Sequence, residues 1–233
     1  MIWKEEFMGR KCLYVLAVLL ILVSFQSCSS KPEQSLLKSY FHAIALKDVS
    51  TMSTMALEPV DIDAQSWKIV QSFEEKIEPA GLPQLNAQEL DLKKKLEEHV
   101  GLTLDSKDAL DAAAETYKAT RTSSAKEKQA EAQAAYDKVY GEHKEMQKAY
   151  NDAKAAAAHE EEITKFSLGR EDITNIRDLT GQVHTKDVEV QTINQAGQSK
   201  NYRFNIRSYK LKDEAANFSP RSRWIIVKIE ALS

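Results

Sequence analysis

The chain is poor in the residues that cross-link or interrupt small folds. Among its 233 residues are two cysteines, five prolines and seven glycines. Two cysteines exclude a disulfide scaffold and any zinc module built on several thiolates. A formal net charge of −3 excludes a basic field over the whole molecule, so we expect no nucleic-acid partner. The 42% hydrophobic and 29% charged residues are typical of a folded chain of one or two domains.

Motifs for catalysis or metal binding are also missing. The sequence has no Gly-rich phosphate loop and none of the motifs G-x-S-x-G, H-E-x-x-H and C-x-x-C. His159 and Glu160 begin like the zinc helix signature, but Ile163 stands where the second histidine is required. We therefore expect no enzymatic activity, no cofactor and no metal centre.

The N-terminal segment has the composition of an export signal. Lys4, Arg10 and Lys11 precede the apolar run Cys12–Phe25, and a basic start before a short apolar core is typical of a secretory signal. The run is shorter than the roughly 20 apolar residues that span a bilayer. We predict a signal peptide over residues 1–27, with an uncleaved inner-membrane signal anchor as the alternative.

The residues that follow resemble the lipobox of bacterial lipoproteins. In the stretch Phe25-Gln26-Ser27-Cys28, a small residue precedes a cysteine, as in that family, where the cysteine is lipidated and becomes the mature N-terminus. The resemblance implies acylation of Cys28 and, with Ser29 next, an outer-membrane lipoprotein facing the periplasm. Acyl chains contribute about 0.8 kcal/mol per buried CH₂, enough to anchor a soluble domain. Residues 28–35 are predicted to form a polar tether.

The middle of the chain is predicted to be helical. No proline occurs between residues 84 and 219, and alanine is the commonest residue between 109 and 158. Apolar and small residues recur there every seven positions, with further ones between them: Leu96, Thr103, Leu110 and Tyr117, beside Val100 and Ala113/Ala114; then Tyr136, His143, Tyr150 and Ala157, with Val139, Met146 and Ala153. This pattern predicts an antiparallel α-helical (coiled-coil) hairpin over residues 85–166.

Polar residues and glycines suggest where these helices begin, end or break. The run Thr120–Ser124 predicts the turn of the hairpin, with Ser124 as the N-cap of its second helix. Gly101 and the pair Asp105-Ser106 predict a break in the first helix. The small size of Gly141 suggests close approach of the two helices.

The flanking segments predict two short helices and a sheet. Within residues 36–57, one helical stripe contains Leu37, Tyr40, Phe41, Ile44 and Ala45. Asp48 or Ser50 is expected to cap a second short helix that ends near Leu57. Strands are expected at Trp67–Phe73, at Asp187–Ile193, in a return strand from Tyr202 to Leu211, and at Arg223–Glu230. The alternation in the return strand changes phase, which predicts a β-bulge at Arg207-Ser208.

Two short helices followed by a curved antiparallel sheet resemble the NTF2-like (cystatin-like) fold. The resemblance implies an α+β domain formed by residues 36–84 and 167–233, with the hairpin over 85–166 as an insertion. In enzymes of this fold the pocket lies inside the cone between helices and sheet. By that resemblance, the candidate cavity-lining residues are Tyr40, His42, Trp67, Tyr202, Phe204 and Trp224.

Charge on the return strand leaves two interpretations open. Arg203, Asn205 and Arg207 are expected to project from the sheet face opposite Phe204 and Ile206. They would contact an acidic partner or anionic lipid headgroups, or else pair with the base of the hairpin.

The leading functional hypothesis is a lipid-anchored, non-enzymatic envelope protein. Its membrane contact is the lipid, and its hairpin binds a protein partner, a second copy of the chain or the cell wall. One alternative is a small-ligand-binding or enzymatic NTF2-like domain that uses the cone cavity. Another is a passive spacer with no specific partner.

Overall fold

The computed structural model describes residues 31–170, 173, 175–213, 219–220 and 222–232. The predicted signal peptide and Cys28 lie outside this part of the chain. The described helices are α1 (Pro32–Ala45), α2 (Val49–Met55), α3 (Leu82–Thr120) and α4 (Ser123–Leu168), with a short 3₁₀ turn at Ile176–Asp178. The strands are β1 (Ser66–Ser72), β2 (Lys76–Pro79), β3 (Thr180–Ile193), β4 (Ser199–Lys212) and β5 (Ile225–Leu232). The predicted α+β class is confirmed.

The five strands form one antiparallel sheet in the order β1-β3-β4-β5. β2 also pairs with β3 and therefore continues the edge that β1 begins. β3 and β4 pair over their full length with no shift of register. β3 begins at Thr180 rather than at the predicted Asp187, and β2 was not predicted because it is exposed throughout and ends in Pro79.

The sheet carries hydrophobic cores on opposite faces at its two ends. One core contains Val188, Val190, Phe204 and Ile206 and is covered by α1 and α2. The other core joins the ends of α3 and α4 to the opposite face and contains Leu82, Ile163, Val183, Tyr209, Leu211 and Ile225. Because side chains alternate across a strand, the buried set of β4 changes phase where one core gives way to the other.

The predicted β-bulge at Arg207-Ser208 is therefore wrong. β4 pairs with β3 through these two residues without interruption. A register shift does occur nearby, but it lies between β4 and β5, where Asn205 pairs with Lys228 and Ile206 pairs with Ile226. The change of phase reflects burial on the opposite face, which a single-strand pattern cannot distinguish from a bulge.

α1 and α2 agree with the expected pattern with two differences. Leu37, Tyr40, Phe41 and Ile44 are buried as predicted, whereas Ala45 is exposed. The carboxylate of Asp48 accepts a hydrogen bond from the Thr51 N–H at 3.0 Å, which confirms it as the cap of α2. α1 already begins at Pro32, because proline suits the first turn of a helix. Residues 32–35 of the predicted tether therefore belong to α1.

α3 and α4 are two long helices, of 39 and 46 residues, that pack against each other. We call them the helix pair. They span residues 82–168 rather than the predicted 85–166. α3 is continuous, so the predicted break at Gly101 and Asp105-Ser106 is wrong; one glycine costs a helix only about 1 kcal/mol. The cap of α4 is Thr122, whose hydroxyl accepts from the Ala125 N–H at 3.2 Å, and not Ser124.

The predicted heptad seam agrees in part with the buried side of each long helix. All predicted seam residues of α4 are buried or half-buried. On α3 the prediction of Val100 is wrong, because the second set of seam positions is Leu92, His99, Ser106 and Ala113. The rings of His99 in α3 and His143 in α4 stack at 5.8 Å. Because only residues 121–122 connect the two helices, and these histidines are about equally far from that connection, the helices run in opposite directions. A Cβ added to Gly141 would meet nothing within 4 Å, so that glycine creates no close approach.

Candidate functional site

Five of the six candidate cavity-lining residues lie together, but in a packed core. Tyr40 and Phe204 are fully buried, and Trp67, Tyr202 and Trp224 pack against the same core as half-buried side chains. His42 lies outside this core and is exposed. The structure thus packs these aromatic residues against one another, and Trp224 also lines the smallest of the cavities described below.

Tyr40 illustrates how this core satisfies its polar atoms. Its hydroxyl donates to the Val60 carbonyl at 3.0 Å and accepts from the Val60 N–H at 2.8 Å. Burial raises the pKa of the Tyr40 phenol, so it stays neutral at physiological pH. Phe41 stacks on Trp67 at 4.8 Å. These contacts describe a structural tyrosine, with both its donor and its acceptor in use.

A buried ion pair connects α1 to the centre of the sheet. The carboxylate of Glu33 is 1% exposed and accepts from Lys186 Nζ at 2.8 Å and from Ser72 Oγ at 3.1 Å. Burial alone would raise the pKa of Glu33, but these donors together hold it below its ordinary value. Sequence analysis missed Glu33, although it lies one helical turn before Leu37 on the buried stripe.

A second buried polar contact lies on the same face of β3. His184 is buried, and its Nδ1 contacts the Glu75 carboxylate. His184 and Lys186 are two residues apart on β3 and therefore share a face. Glu75 itself is exposed, and neither pair is among the residues that line the cavities described below.

Arg177 joins the base of the helix pair to the 3₁₀ turn. Its guanidinium donates to Glu89 of α3 at 2.7 Å and to Glu161 of α4 at 2.6 Å. The hydrogen bond to Glu161 raises the pKa of Arg177, and Lys165 with Arg177 lowers the pKa of Glu161. One planar cation thus holds a carboxylate from each helix.

Two arginines of β4, Arg203 and Arg207, line a groove of about 420 Å³ beside α4, with Asn205 between them. Arg203 donates to Glu189 at 2.7 Å and Asn205 donates to Asp187 at 2.7 Å, both across the strand pair. Arg207 donates to Glu160 of α4 at 3.3 Å. Of the two interpretations of this charge, pairing with the base of the hairpin is therefore confirmed for Arg207.

Glu160 also accepts a hydrogen bond from the Tyr209 hydroxyl at 2.8 Å. Burial and this carboxylate raise the pKa of Tyr209. The Glu160 carboxylate thus accepts hydrogen bonds from both Arg207 and Tyr209, and the arginines of the groove have acidic partners. The groove does not offer a free cationic surface of the kind that binds phosphates.

Two more cavities lie near the end of α4 and beside α1. The larger, about 990 Å³ and open to solvent, is lined by charged residues with Leu57 and Phe166 among them. The smaller, about 370 Å³, lies between α1, α2 and Trp224. Neither brings together a nucleophile, a base and a stabilising donor in the arrangement that catalysis requires.

The outward surface of the helix pair exposes several large apolar side chains. Leu90, Val100, Leu102, Leu104 and Tyr140 are exposed there. Ion pairs between residues four apart run along α3 between them, including Lys93 with Glu97 and Lys107 with Asp111. Where exposed apolar side chains lie side by side, such a surface is typical of a contact site.

The described residues contain neither a cluster suited to a metal ion nor a helix suited to a bilayer. No group of three or more His, Cys, Asp or Glu side chains among them is placed to hold a metal ion. None of the described helices combines the length and the apolar composition needed to cross a bilayer.

Comparison with known proteins identifies no relative. No protein-family model, no curated protein and no solved structure matches the chain.

Proposed function

We propose that this chain is a lipid-anchored protein of the bacterial cell envelope that acts as a non-enzymatic scaffold through its helix pair. The observation that carries the proposal is the helix pair itself. Helices of 39 and 46 residues would extend about 60 to 70 Å at 1.5 Å per residue. Only one of the two cores contains residues of the helix pair, and it holds only their base; apolar side chains are exposed further along.

The anchor is argued from the sequence. Lipid on Cys28, at the periplasmic face of the outer membrane, would lie three residues before Lys31, where the described chain begins. Glu33 is buried against Lys186 and Ser72, so the folded part starts directly after the proposed anchor. The body would therefore sit close to the membrane, with little free tether.

The remaining elements are proposed to form an NTF2-like domain with the helix pair as an insertion. α1 and α2 come first in the chain and cover one face of an antiparallel sheet, which supports this assignment. The helix pair lies between β2 and β3, two neighbours in the sheet. The packed aromatic core favours a structural role for this domain over the ligand-binding or enzymatic alternative.

The anchor is tested by Cys28→Ser in the full chain expressed in a Gram-negative host. We expect the wild type to incorporate radiolabelled palmitate and to fractionate with outer membranes, and the variant to do neither. Palmitate-free wild type in the cytosol would contradict the anchor. Label with inner-membrane fractionation would overturn the outer-membrane assignment alone.

The scaffold role is tested by shortening the helix pair in register. Removing residues 103–116 and 126–139 takes two heptads from each helix and keeps the seam aligned. The shortened chain should keep its membrane fraction and its helical signal but lose the crosslinked species that the wild type forms in cells. A wild type that forms none would favour the passive spacer.

A further inference from the structure

The outward flank of α3 carries a second stripe, separate from the seam with α4. Its members are spaced alternately three and four residues apart, which keeps them on one side of a helix. We call it the outer stripe; it consists of Leu90, Lys93, Glu97, Val100, Leu104, Lys107, Asp111 and Ala114. If the seam sets that contain Leu96 and His99 are lettered a and d of the heptad, the stripe occupies the e and b positions. These positions flank the seam, so the stripe lies beside α4 and not against it.

The three large apolar members of this stripe are open to solvent, whereas Ala114 is half-buried. Leu90 is 57% exposed, Val100 is 43% exposed and Leu104 is 60% exposed. Tyr140 of α4 is also exposed; it takes the e position of the α4 heptad and therefore lies on the same flank. Of the exposed large apolar residues of the helix pair, Leu102 lies on the opposite flank.

The order of residues in the stripe is complementary to itself when one copy is reversed. About the level of Leu102, each member then meets the member equally far on the other side: Leu90 meets Ala114, Lys93 meets Asp111, Glu97 meets Lys107, and Val100 meets Leu104. Every charge faces the opposite charge and the apolar residues face each other. In a parallel, in-register pair, each lysine and each carboxylate would face its like, which is unfavourable.

We propose that the chain forms a two-fold symmetric dimer in which the outer stripes of two α3 helices pack antiparallel. A second copy would thus be the partner that binds the helix pair, so the inference rests on the proposed scaffold role. It does not require lipid on Cys28. The interface is isologous and runs about 36 Å along each helix. The ion pair between Lys93 and Glu97, at 3.9 Å, gains opposite charges from the second copy.

The apolar part of the dimer is tested on the full chain purified in a mild detergent. Light scattering with the detergent mass subtracted gives the molar mass of the protein. The wild type should be a dimer, and Val100→Glu with Leu104→Glu should be monomeric, because the changes place four carboxylates at the centre of the interface. Leu102→Glu is the matched control, an equally exposed leucine on the other flank, and should remain dimeric.

The charged part is tested by reversal and rescue. Glu97→Lys alone, or Lys107→Glu alone, places like charges together twice across the two-fold axis and should raise the dimer Kd about tenfold. The double variant restores opposite charges between the copies, so its Kd should return to near the wild-type value. Within one helix the double variant is worse than either single change, because it removes both ion pairs. Rescue therefore reports contact between copies.

Orientation is tested by crosslinking two tagged copies in cells with a short bismaleimide. A copy with Lys93→Cys should crosslink to a copy with Asp111→Cys and not to another with Lys93→Cys, with the wild-type pair as background. A monomeric wild type, dissociation by Leu102→Glu, or failure of rescue would overturn the dimer. A monomer that still crosslinks to other proteins overturns only the dimer, whereas a dimer with unmodified Cys28 overturns only the anchor.

Discussion

At the scale of single residues, Glu33 shows how a buried charge links stability to pH. Its pKa is held below its ordinary value by Lys186 and Ser72 despite burial. A carboxylate with a lowered pKa stabilises the folded state at pH values above its unfolded pKa. That contribution decreases as the pH falls below the ordinary value of 4.5 toward the folded pKa, where the folded state must also take up the proton.

Replacing Glu33 with glutamine should lower the free energy of unfolding by about 3 kcal/mol at pH 7, because Lys186 is left buried without its counter-charge. Urea unfolding at pH values between 7 and 3 measures this, and the variant should lose less stability than the wild type on acidification. The double variant with Lys186→Met removes both charges and should recover part of the loss. An unchanged acid limb in Glu33→Gln would contradict the role of this carboxylate.

Gly181 is a second residue whose identity the fold requires. Its φ is +142°, and a Cβ added there would lie 2.1 Å from the Lys210 carbonyl oxygen. Gly181→Ala should destabilise the protein by about 2 to 4 kcal/mol, because backbone on two paired strands must separate. Gly141→Ala is the matched control, since its Cβ meets nothing within 4 Å. That change should raise stability by about 0.5 to 1 kcal/mol, and thermal unfolding compares the two.

At the scale of elements, the helices were predictable where the sequence pattern is periodic. Their ends were not, because single residues determine where a helix begins and ends. The seven-residue repeat through Tyr136 and His143 identified α4 and its buried side, because burial follows that period. The end of a helix depends on local geometry instead: Arg121 adopts a left-handed conformation, and that sets the cap at Thr122. In the sequence, the hydroxyls of Thr122 and Ser124 are equally good candidates for the N-cap of α4.

The cap of α4 can be tested by comparing these two hydroxyls. Thr122→Ala should cost about 1 kcal/mol of stability, because the Ala125 N–H loses its acceptor. Ser124→Ala should have little effect, since alanine is a good helix former inside the first turn. Chemical unfolding monitored by helical circular dichroism measures both. Equal losses for the two variants would contradict the assignment of the cap.

The strands were less predictable because their partners are distant in sequence. The alternation along β4 was visible, but its change of phase has its cause in α4, which covers the opposite face near Tyr209. The candidate site had the same difficulty. Proximity of the aromatic residues was foreseen from a fold resemblance, whereas whether they enclose a space depends on how closely the side chains pack. The ion pairs of Arg177 could not be predicted, because the sequence does not show that Glu89 and Glu161 are neighbours in space.

At the scale of the whole molecule, stability should decrease along the helix pair away from the sheet. Its base is held by the core around Ile163 and by Arg177 with its two carboxylates. Near Arg121 the seam includes small residues such as Ala113 and Ala125, with Tyr117 as a larger one. Backbone amides near the connection should therefore exchange with deuterium faster than those near the base, as measured by mass spectrometry. Uniform protection along both helices would contradict this gradient.

The placement of cores on opposite faces of one sheet has a mechanical consequence. α1 presses on one end of the β3–β4 ladder from above, and the last turns of α4 press on the other end from below. On β3 the two contacts are centred near Val183 and Val190, seven residues apart, so the strands form a lever of about 23 Å between them. Tilting the long helices would twist that lever and change the orientation of α1 on the sheet. A force applied to the helix pair would therefore be transmitted to α1.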